Sequence, residues 1–167
     1  MTGHQLDPDR LGDHLDRLYR AAWSLCGSRE DAEDLVQDTF ARVLGRPRFL
    51  RSDDDLGYLL RSLQNTFRST YRARTRRPPE VAMPEDLSLI EDRRAPDPQR
   101  HLDAVELYAA ISALPGDFRD AVIAVDVMGL SYGEAARALK VKEATLTTRV
   151  HRGRRRLASA LGEAERA

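Results

Sequence analysis

The sequence predicts an all-α protein: two small helical domains joined by an extended linker. Three observations point there. Apolar residues recur at helical spacing through most of the chain. Aromatics make up only 6% of the residues against 41% hydrophobic, a balance that suits cores of Leu, Ala and Val better than sheets. Five of the eight prolines (Pro78, Pro79, Pro84, Pro96 and Pro98) crowd into one acidic stretch without periodicity. A chain of 167 residues accommodates one ordinary domain or two small ones, and the prolines place the division. The expected boundaries are 1–77, a linker over 78–98, and 99–167.

The first helix starts at Asp7-Pro8, a capping side chain followed by a proline in the first turn. Leu11, Leu15, Leu18, Ala22 and Leu25 form its apolar stripe, and Gly27 ends it. Ser28 with Asp31 resembles a capping box, with Asp in place of the preferred Glu or Gln. The second helix runs to about Gly45, with Ala32, Leu35, Val36, Phe40, Val43 and Leu44 on its apolar side. Pro47 and Asp53 to Asp55 make a loop and the next cap. A third helix covers roughly Leu56 to Arg74.

Beyond the linker, Leu102, Val105 and Ala109 mark a fourth helix that closes near Leu114. Pro115-Gly116-Asp117 is a turn and cap. Phe118, Ala121, Val122 and Val125 mark the fifth helix, which Gly129 stops. Ser131 to Glu134 is a complete capping box, opening a sixth helix that runs to Leu139. The last helix extends from about Ala144 to Leu161.

Formal net charge is zero, but the charges are sorted along the chain. Met1 to Leu60 holds 12 acids against 8 arginines, Arg61 to Pro79 six arginines and no acid, Glu80 to Glu106 eight acids against three arginines, and Ser131 to Leu157 eight Lys/Arg against two Glu. Two basic blocks separated by acidic ones suggest two contacts with a polyanion, each on its own module.

Three segments carry the chemistry. Ser131 to Arg156 reads as a helix-turn-helix. Ala136 lies where the two helices must approach closely, Leu146 plugs the core beneath the second, and Thr147, Thr148, Arg149, His151 and Arg152 face outward. In Arg61 to Arg77, arginines interleave with Asn65, Phe67 and Tyr71, a mix that suits unstacked bases on a charged backbone. Taken alone, that segment is equally a solvated helix end with buried aromatics. On the second helix, Asp34, Gln37, Asp38 and Arg42 line a polar face beside Leu35 and Phe40. This is a partner surface or an ordinary amphipathic helix.

No catalytic set, metal site or cofactor-binding motif is expected. His4, His14, His101 and His151 are scattered without metal spacing, and there is no phosphate-binding glycine loop. The single cysteine, Cys26, leaves an intramolecular disulfide out, and its thiol is either packed or redox-sensitive. With no signal-peptide pattern and no apolar run long enough to cross a bilayer, a cytoplasmic location without membrane insertion is expected.

Taken together and in this order, the three segments resemble the extracytoplasmic-function (ECF) sigma factors of the sigma-70 family, from about Leu11 to Leu161. Asp31-Ala32-Glu33-Asp34-Leu35-Val36-Gln37-Asp38-Thr39-Phe40 resembles the family's polymerase-binding motif. Tyr58-Leu59-Leu60 with Asn65 resembles its −10-reading helix. Leu114-Pro115, Gly129 to Ala136 and Arg149 to Arg154 resemble its −35-reading domain. The resemblance implies a region 2-like domain, a region 4-like helix-turn-helix domain and no enzymatic activity. Asp34, Leu35, Gln37, Asp38, Phe40 and Arg42 would then bind the clamp coiled coil of the polymerase largest subunit. Arg61, Asn65, Arg68 and Arg72 would meet the −10 strand, and Thr147, Thr148, Arg149, His151 and Arg152 the −35 duplex. Arg46 to Leu56 would correspond to the segment that captures a flipped base. Further implied partners are core RNA polymerase through the flap of its second largest subunit, promoter DNA and an anti-sigma factor. In holoenzyme the chain would be nucleoid-associated.

Departures from the family pattern lie at Tyr58 and Ser69, in place of the usual Trp and Asp, at Thr147 and Thr148, in place of the commoner basic residue and serine, and in the turn. Lys140, Lys142 and Ala144 replace a usual glycine, proline and glycine. A non-glycine residue at positive φ costs of order 1 kcal/mol, so a strained or reshaped turn is expected. Two other readings stand beside this one: a helix-turn-helix regulator that never joins polymerase, which would not need Asp31 to Phe40, and an enzyme acting on nucleic acid.

Overall fold

A computed structural model describes residues 3–46, 48–51, 54–76, 98–164 and 166. The expected linker therefore lies outside the described residues, apart from Pro98. The fold is all-α in its core: α1 (Leu11–Cys26), α2 (Arg29–Gly45), α3 (Asp55–Arg76), α4 (Pro98–Ser112), α5 (Gly116–Val122), α6 (Tyr132–Leu139) and α7 (Glu143–Ala164). A 3-10 turn, Pro8–Arg10, leads into α1, and a single π-helical turn, Ile123–Val127, extends α5.

Local chemistry sets several helix ends. The Asp7 side chain accepts from the Asp9 amide, and Ser28 from the Asp31 amide. Gly27 closes α1 at φ 70°, a conformation that suits a residue without Cβ. At α6 the capping box is complete: Ser131 Oγ accepts from the Glu134 amide, while the Ser131 amide donates to Glu134 Oε2 at 2.8 Å. That pair of bonds holds the Glu134 carboxyl below its ordinary pKa.

α1 is the central element, packing on α2, α3, α4 and the π-helical turn. Its C-terminal half is therefore buried all round, from Ala21 to Leu25, not along one stripe. Trp23 looks toward α4, with its ring centroid 5.1 Å from Tyr108 and 6.3 Å from His101. Gly27 approaches α4 so closely that a Cβ there would stand 2.6 Å from Ser112 Oγ. The last four helices pack among themselves around Ile111, Val122, Ile123, Met128, Leu146 and Val150.

Several expectations need correction. Leu44 is 49% exposed and Leu102 56% exposed, so neither belongs to a core stripe. On α4 the residues turned inward are Val105, Tyr108 and Ile111, because the helix docks on α1 with the Tyr108 ring against Trp23. The chain is not helical throughout either. Gly3–Gln5 (β1) pairs antiparallel with Phe49–Arg51 (β2), in the register Gly3↔Arg51, His4↔Leu50 and Gln5↔Phe49. Three-residue strands leave no periodicity to read.

Candidate nucleic-acid interface

α3 owes its position to Leu59, Leu60 and Leu63, all fully buried against α1 and α2. The opposite side presents the basic face. Arg61 Nη2 lies 3.6 Å from Asp54 Oδ2, Arg68 Nη2 3.7 Å from Asp120 Oδ2, and Arg74 Nη1 3.1 Å from Asp31 Oδ1. Asn65 is exposed between the first two, and Arg72 is exposed one turn beyond Arg68.

Asn65 and Arg61 share a cavity of about 640 Å³ with Arg42, Arg46, Arg48, Phe49 and Tyr58. Four arginines and two aromatic rings around an open hollow are what a single strand needs: cations for phosphates and flat faces for unstacked bases. Phe49 is 79% exposed, whereas its strand neighbour Leu50 is 8% exposed, so the alternation of β2 turns one side chain inward and aims the other at solvent. Lys140 also reaches this cavity from the α6–α7 turn. Phe49 falls in the Arg46 to Leu56 segment that the family resemblance singles out, although no pattern marks the residue itself; Lys140, 75 positions from Asn65, is not identifiable as a cavity residue from sequence.

A smaller cleft, about 190 Å³, separates α3 from α5, α6 and α7. Arg61, Gln64, Asn65 and Arg68 line one side, and Asp117, Asp120, Lys140 and Arg149 the other. The Gln64 amide nitrogen is buried there without a hydrogen-bond partner. Burial raises the Asp120 carboxyl above its ordinary pKa, against the pull of Arg119 and Arg68. The Arg119 guanidinium also stacks over the Phe67 ring at 5.3 Å.

α7 is seated by Leu146 and Val150, both fully buried, and by Gly153. A Cβ on Gly153 would stand 2.6 Å from Val122 Cγ2 and 3.2 Å from the Phe118 carbonyl oxygen, so its hydrogen side chain lets α5 and α7 touch. The outward residues Thr147, Thr148, His151 and Arg152 are exposed. At rest the Thr147 hydroxyl donates to the Glu143 carbonyl and the Thr148 hydroxyl to the Ala144 carbonyl. Arg149 stands apart from this group, 3.5 Å from Asp117 and 28% exposed. Arg154 makes a forked pair with Asp126 at 2.9 and 2.6 Å, and Arg156 covers the Phe118 ring at 5.2 Å. The turn before α7 holds Lys140 at φ 56° and ψ 45°, the left-handed conformation that the family's glycine would adopt freely.

The α2 residues divide. Asp34, Gln37 and Asp38 are exposed around a groove of about 610 Å³ between α2, α3 and α5. Leu35 is 4% exposed and belongs to the core, although its edge lines that groove. Phe40 is half-buried against the core. Arg42 points to the other side of α2, into the cavity that holds Asn65. Cys26 lines the groove as a packed thiol: burial, aided by Asp31, pushes its pKa up to about 12. That is the opposite of the low-pKa thiolate a redox sensor requires. Among the described residues there is no group of three His, Cys, Asp or Glu placed to hold a metal ion, and no helix long and apolar enough to cross a membrane.

Comparison with known proteins agrees with this arrangement. The model of sigma-70 region 2 matches residues 11–77, and that of sigma-70 region 4 matches residues 104–157. The chain is 40% identical to the ECF RNA polymerase sigma factor SigE of Mycolicibacterium smegmatis over 147 residues. That match covers 86% of this chain but only 57% of SigE, so the chain spans little more than half of that relative's length. It is 36% identical to the ECF RNA polymerase sigma factor EcfG of Rhodopseudomonas palustris, covering 86% of this chain and 78% of EcfG. Among known structures it is similar to the sigma factor RpoE of Bartonella quintana, crystallised with the anti-sigma factor NepR. The TM-score is 0.68 at 27% identity, covering 92% of this chain and 95% of RpoE.

Proposed function

The chain belongs to the ECF RNA polymerase sigma factors of the sigma-70 family, and from that premise we propose that it joins core polymerase, reads a −35 duplex with α7 and captures a melted −10 strand with α3. The supporting observation is that one chain carries two separate basic faces together with an exposed acidic edge on α2. A regulator acting alone would need only the face on α7. In this reading residues 1–77 and 99–167 act as separate readers, and 78–98 is the tether between them. The −10 and −35 elements lie roughly 25 base pairs apart, about 85 Å of duplex at ~3.4 Å per pair. Here Arg68 of α3 and Arg149 of α7 line a single cleft. The halves must therefore part before both elements are read. A tether of 21 residues reaches at most about 70 Å, and the widths of the two helical units supply the remainder.

Polymerase supplies all chemistry. The chain's part is binding: exposed Thr147, Thr148, His151 and Arg152 on the duplex, and Asn65, Arg61 and their arginine neighbours on the unstacked strand. Each base stacked on an aromatic side chain returns about 1–3 kcal/mol, offsetting part of the cost of melting. The likeness to RpoE extends the proposal to regulation: an anti-sigma protein holds the chain in its closed form.

The test is to mix the pure chain with core polymerase and look for promoter-specific transcripts. Asp38, exposed on α2, supplies the control. Asp38→Arg keeps the fold and weakens holoenzyme formation, read by co-purification. A folded Asp38→Arg protein that co-purifies like the parent excludes the α2 groove as the polymerase contact.

A further inference from the structure

The ribbon β1–β2 stands directly behind the cavity that holds Asn65. β2 contributes Phe49 and Leu50 to the cavity wall, and β1 is bonded along the far edge of β2, away from the cavity. A free-standing pair of three-residue strands is marginal in water, so something must fasten it. His4 does so. Its Nε2 lies 2.7 Å from Asp55 Oδ1, and Asp55 opens α3 with its side chain 14% exposed. The N-terminal segment is thereby tied at two points: to β2 through the ladder, and to the first turn of α3 through one short polar contact. Leu6, partly buried against the core, fixes the chain beyond the strand. Gly3 fits closely, since a Cβ there would stand 3.2 Å from the Leu50 carbonyl oxygen.

Resting on the −10 reading above, in which Arg46 to Leu56 captures a flipped base and Phe49 supplies its exposed ring, we propose that β1 is a brace for that segment, with His4 as a positioning residue. Phe49 is 79% exposed, a large apolar ring with no core to fill, facing a hollow rimmed by arginines and Asn65. A ring offered to a base loses affinity if the strand carrying it moves, because ordering the loop then opposes binding. The brace removes that cost in advance. His4 touches no base in this arrangement. It acts through Asp55 and β2.

The experiment uses holoenzyme assembled from core polymerase and the full chain, with a promoter fragment recovered by holoenzyme selection from a random library. Opening is read by permanganate reactivity, and capture by fluorescence of the same promoter's non-template −10 strand carrying 2-aminopurine. His4→Ala is expected to weaken both by about threefold to tenfold, the range for one partly exposed polar contact. Holoenzyme yield and melting temperature should stay at the parent's values, because His4 lies outside the core. His4→Gln, which keeps a donor toward Asp55, should recover most of the loss. Phe49→Ala should lose capture as His4→Ala does, without rescue by any change at position 4. If Asn65→Ala impairs opening while His4→Ala opens promoters like the parent, the brace is wrong and the −10 reading stands. If neither variant changes opening, the −10 reading fails and the brace with it. A His4→Ala protein that melts several degrees lower would assign His4 to fold stability, which also overturns the proposal.

Discussion

α3 and α7 are both helices of 22 residues rich in arginine, yet their charges are spent differently. On α3, Arg61, Arg68 and Arg74 each face a carboxylate from elsewhere in the chain, supplied by the preceding loop, α5 and α2. On α7 the first turns leave Thr147, Thr148, His151 and Arg152 exposed, and the pairing falls on Arg149 and Arg154 at the flanks. The density of arginines along a sequence therefore does not measure the charge a helix offers to DNA. α5 makes the difference, because Asp117 reaches Arg149 and Asp120 reaches Arg68. One short acidic helix thus engages both basic faces while they lie together. In each pair one partner is well exposed, Arg68 at 58% and Asp117 at 72%, so solvent screens the attraction and phosphates can compete for the arginine.

The largest effect expected from breaking this comparison is at Gly153, which gives α7 its seat. Gly153→Ala would drive a methyl into Val122 and the Phe118 carbonyl, at a cost of about 1–3 kcal/mol from overpacking. Urea unfolding should show it, with −35 affinity falling in proportion to the folded fraction. Unchanged stability would mean that α5 and α7 separate without penalty.

Next comes the open face itself. Arg152→Ala should weaken −35 duplex binding by about 1–3 kcal/mol if the side chain reads a base. If it meets only phosphate, the loss should be uniform across sequences and the salt slope should shrink by about one unit. Asn65→Ala, on α3, should leave duplex affinity alone. Gel-shift titrations at several salt concentrations separate these outcomes. Equal affinity for Arg152→Ala and parent would remove α7's exposed turn from the interface.

A smaller effect is expected at Lys140, the non-glycine residue held at φ 56°. Lys140→Gly relieves left-handed strain but also loosens the unfolded chain, so stability should stay level or rise by no more than about 1 kcal/mol. A fall of several degrees in melting temperature would show that the Lys140 side chain contributes contacts that outweigh the strain.

The smallest effect concerns Asp120. Its folded-state pKa is raised, by burial first. Such a carboxyl favours the folded protein fully only below its unfolded value, and that contribution is lost as pH rises through the folded pKa. At neutral pH the neutral Asp120→Asn side chain should therefore melt at or slightly above the parent. The gap should close as pH falls toward 3.8, the ordinary value, where the parent protonates. A lower melting temperature for Asp120→Asn at pH 7 would show that Arg119 and Arg68 outweigh burial.

Legibility in the sequence followed the range of the interaction. The Ser131–Glu134 capping box, the Gly27 and Gly129 stops, the Leu146 plug and the exposed Thr148, His151 and Arg152 depend on residues within a few positions of each other, so a linear reading finds them. The left-handed Lys140 was also foreseeable, because a turn of that shape demands its backbone whatever residue fills it. The tertiary structure alone decided the rest. It buried Ala21 to Leu25 on every side by docking α4 on α1, placed Arg42 on the opposite side of α2 from Asp34, Gln37 and Asp38, and brought His4 to Asp55 and Asp120 to Arg68 across 51 and 52 positions. No period or cap encodes such pairs. They form only when packing of the helices closes the distance, and their partners are fixed by which faces meet.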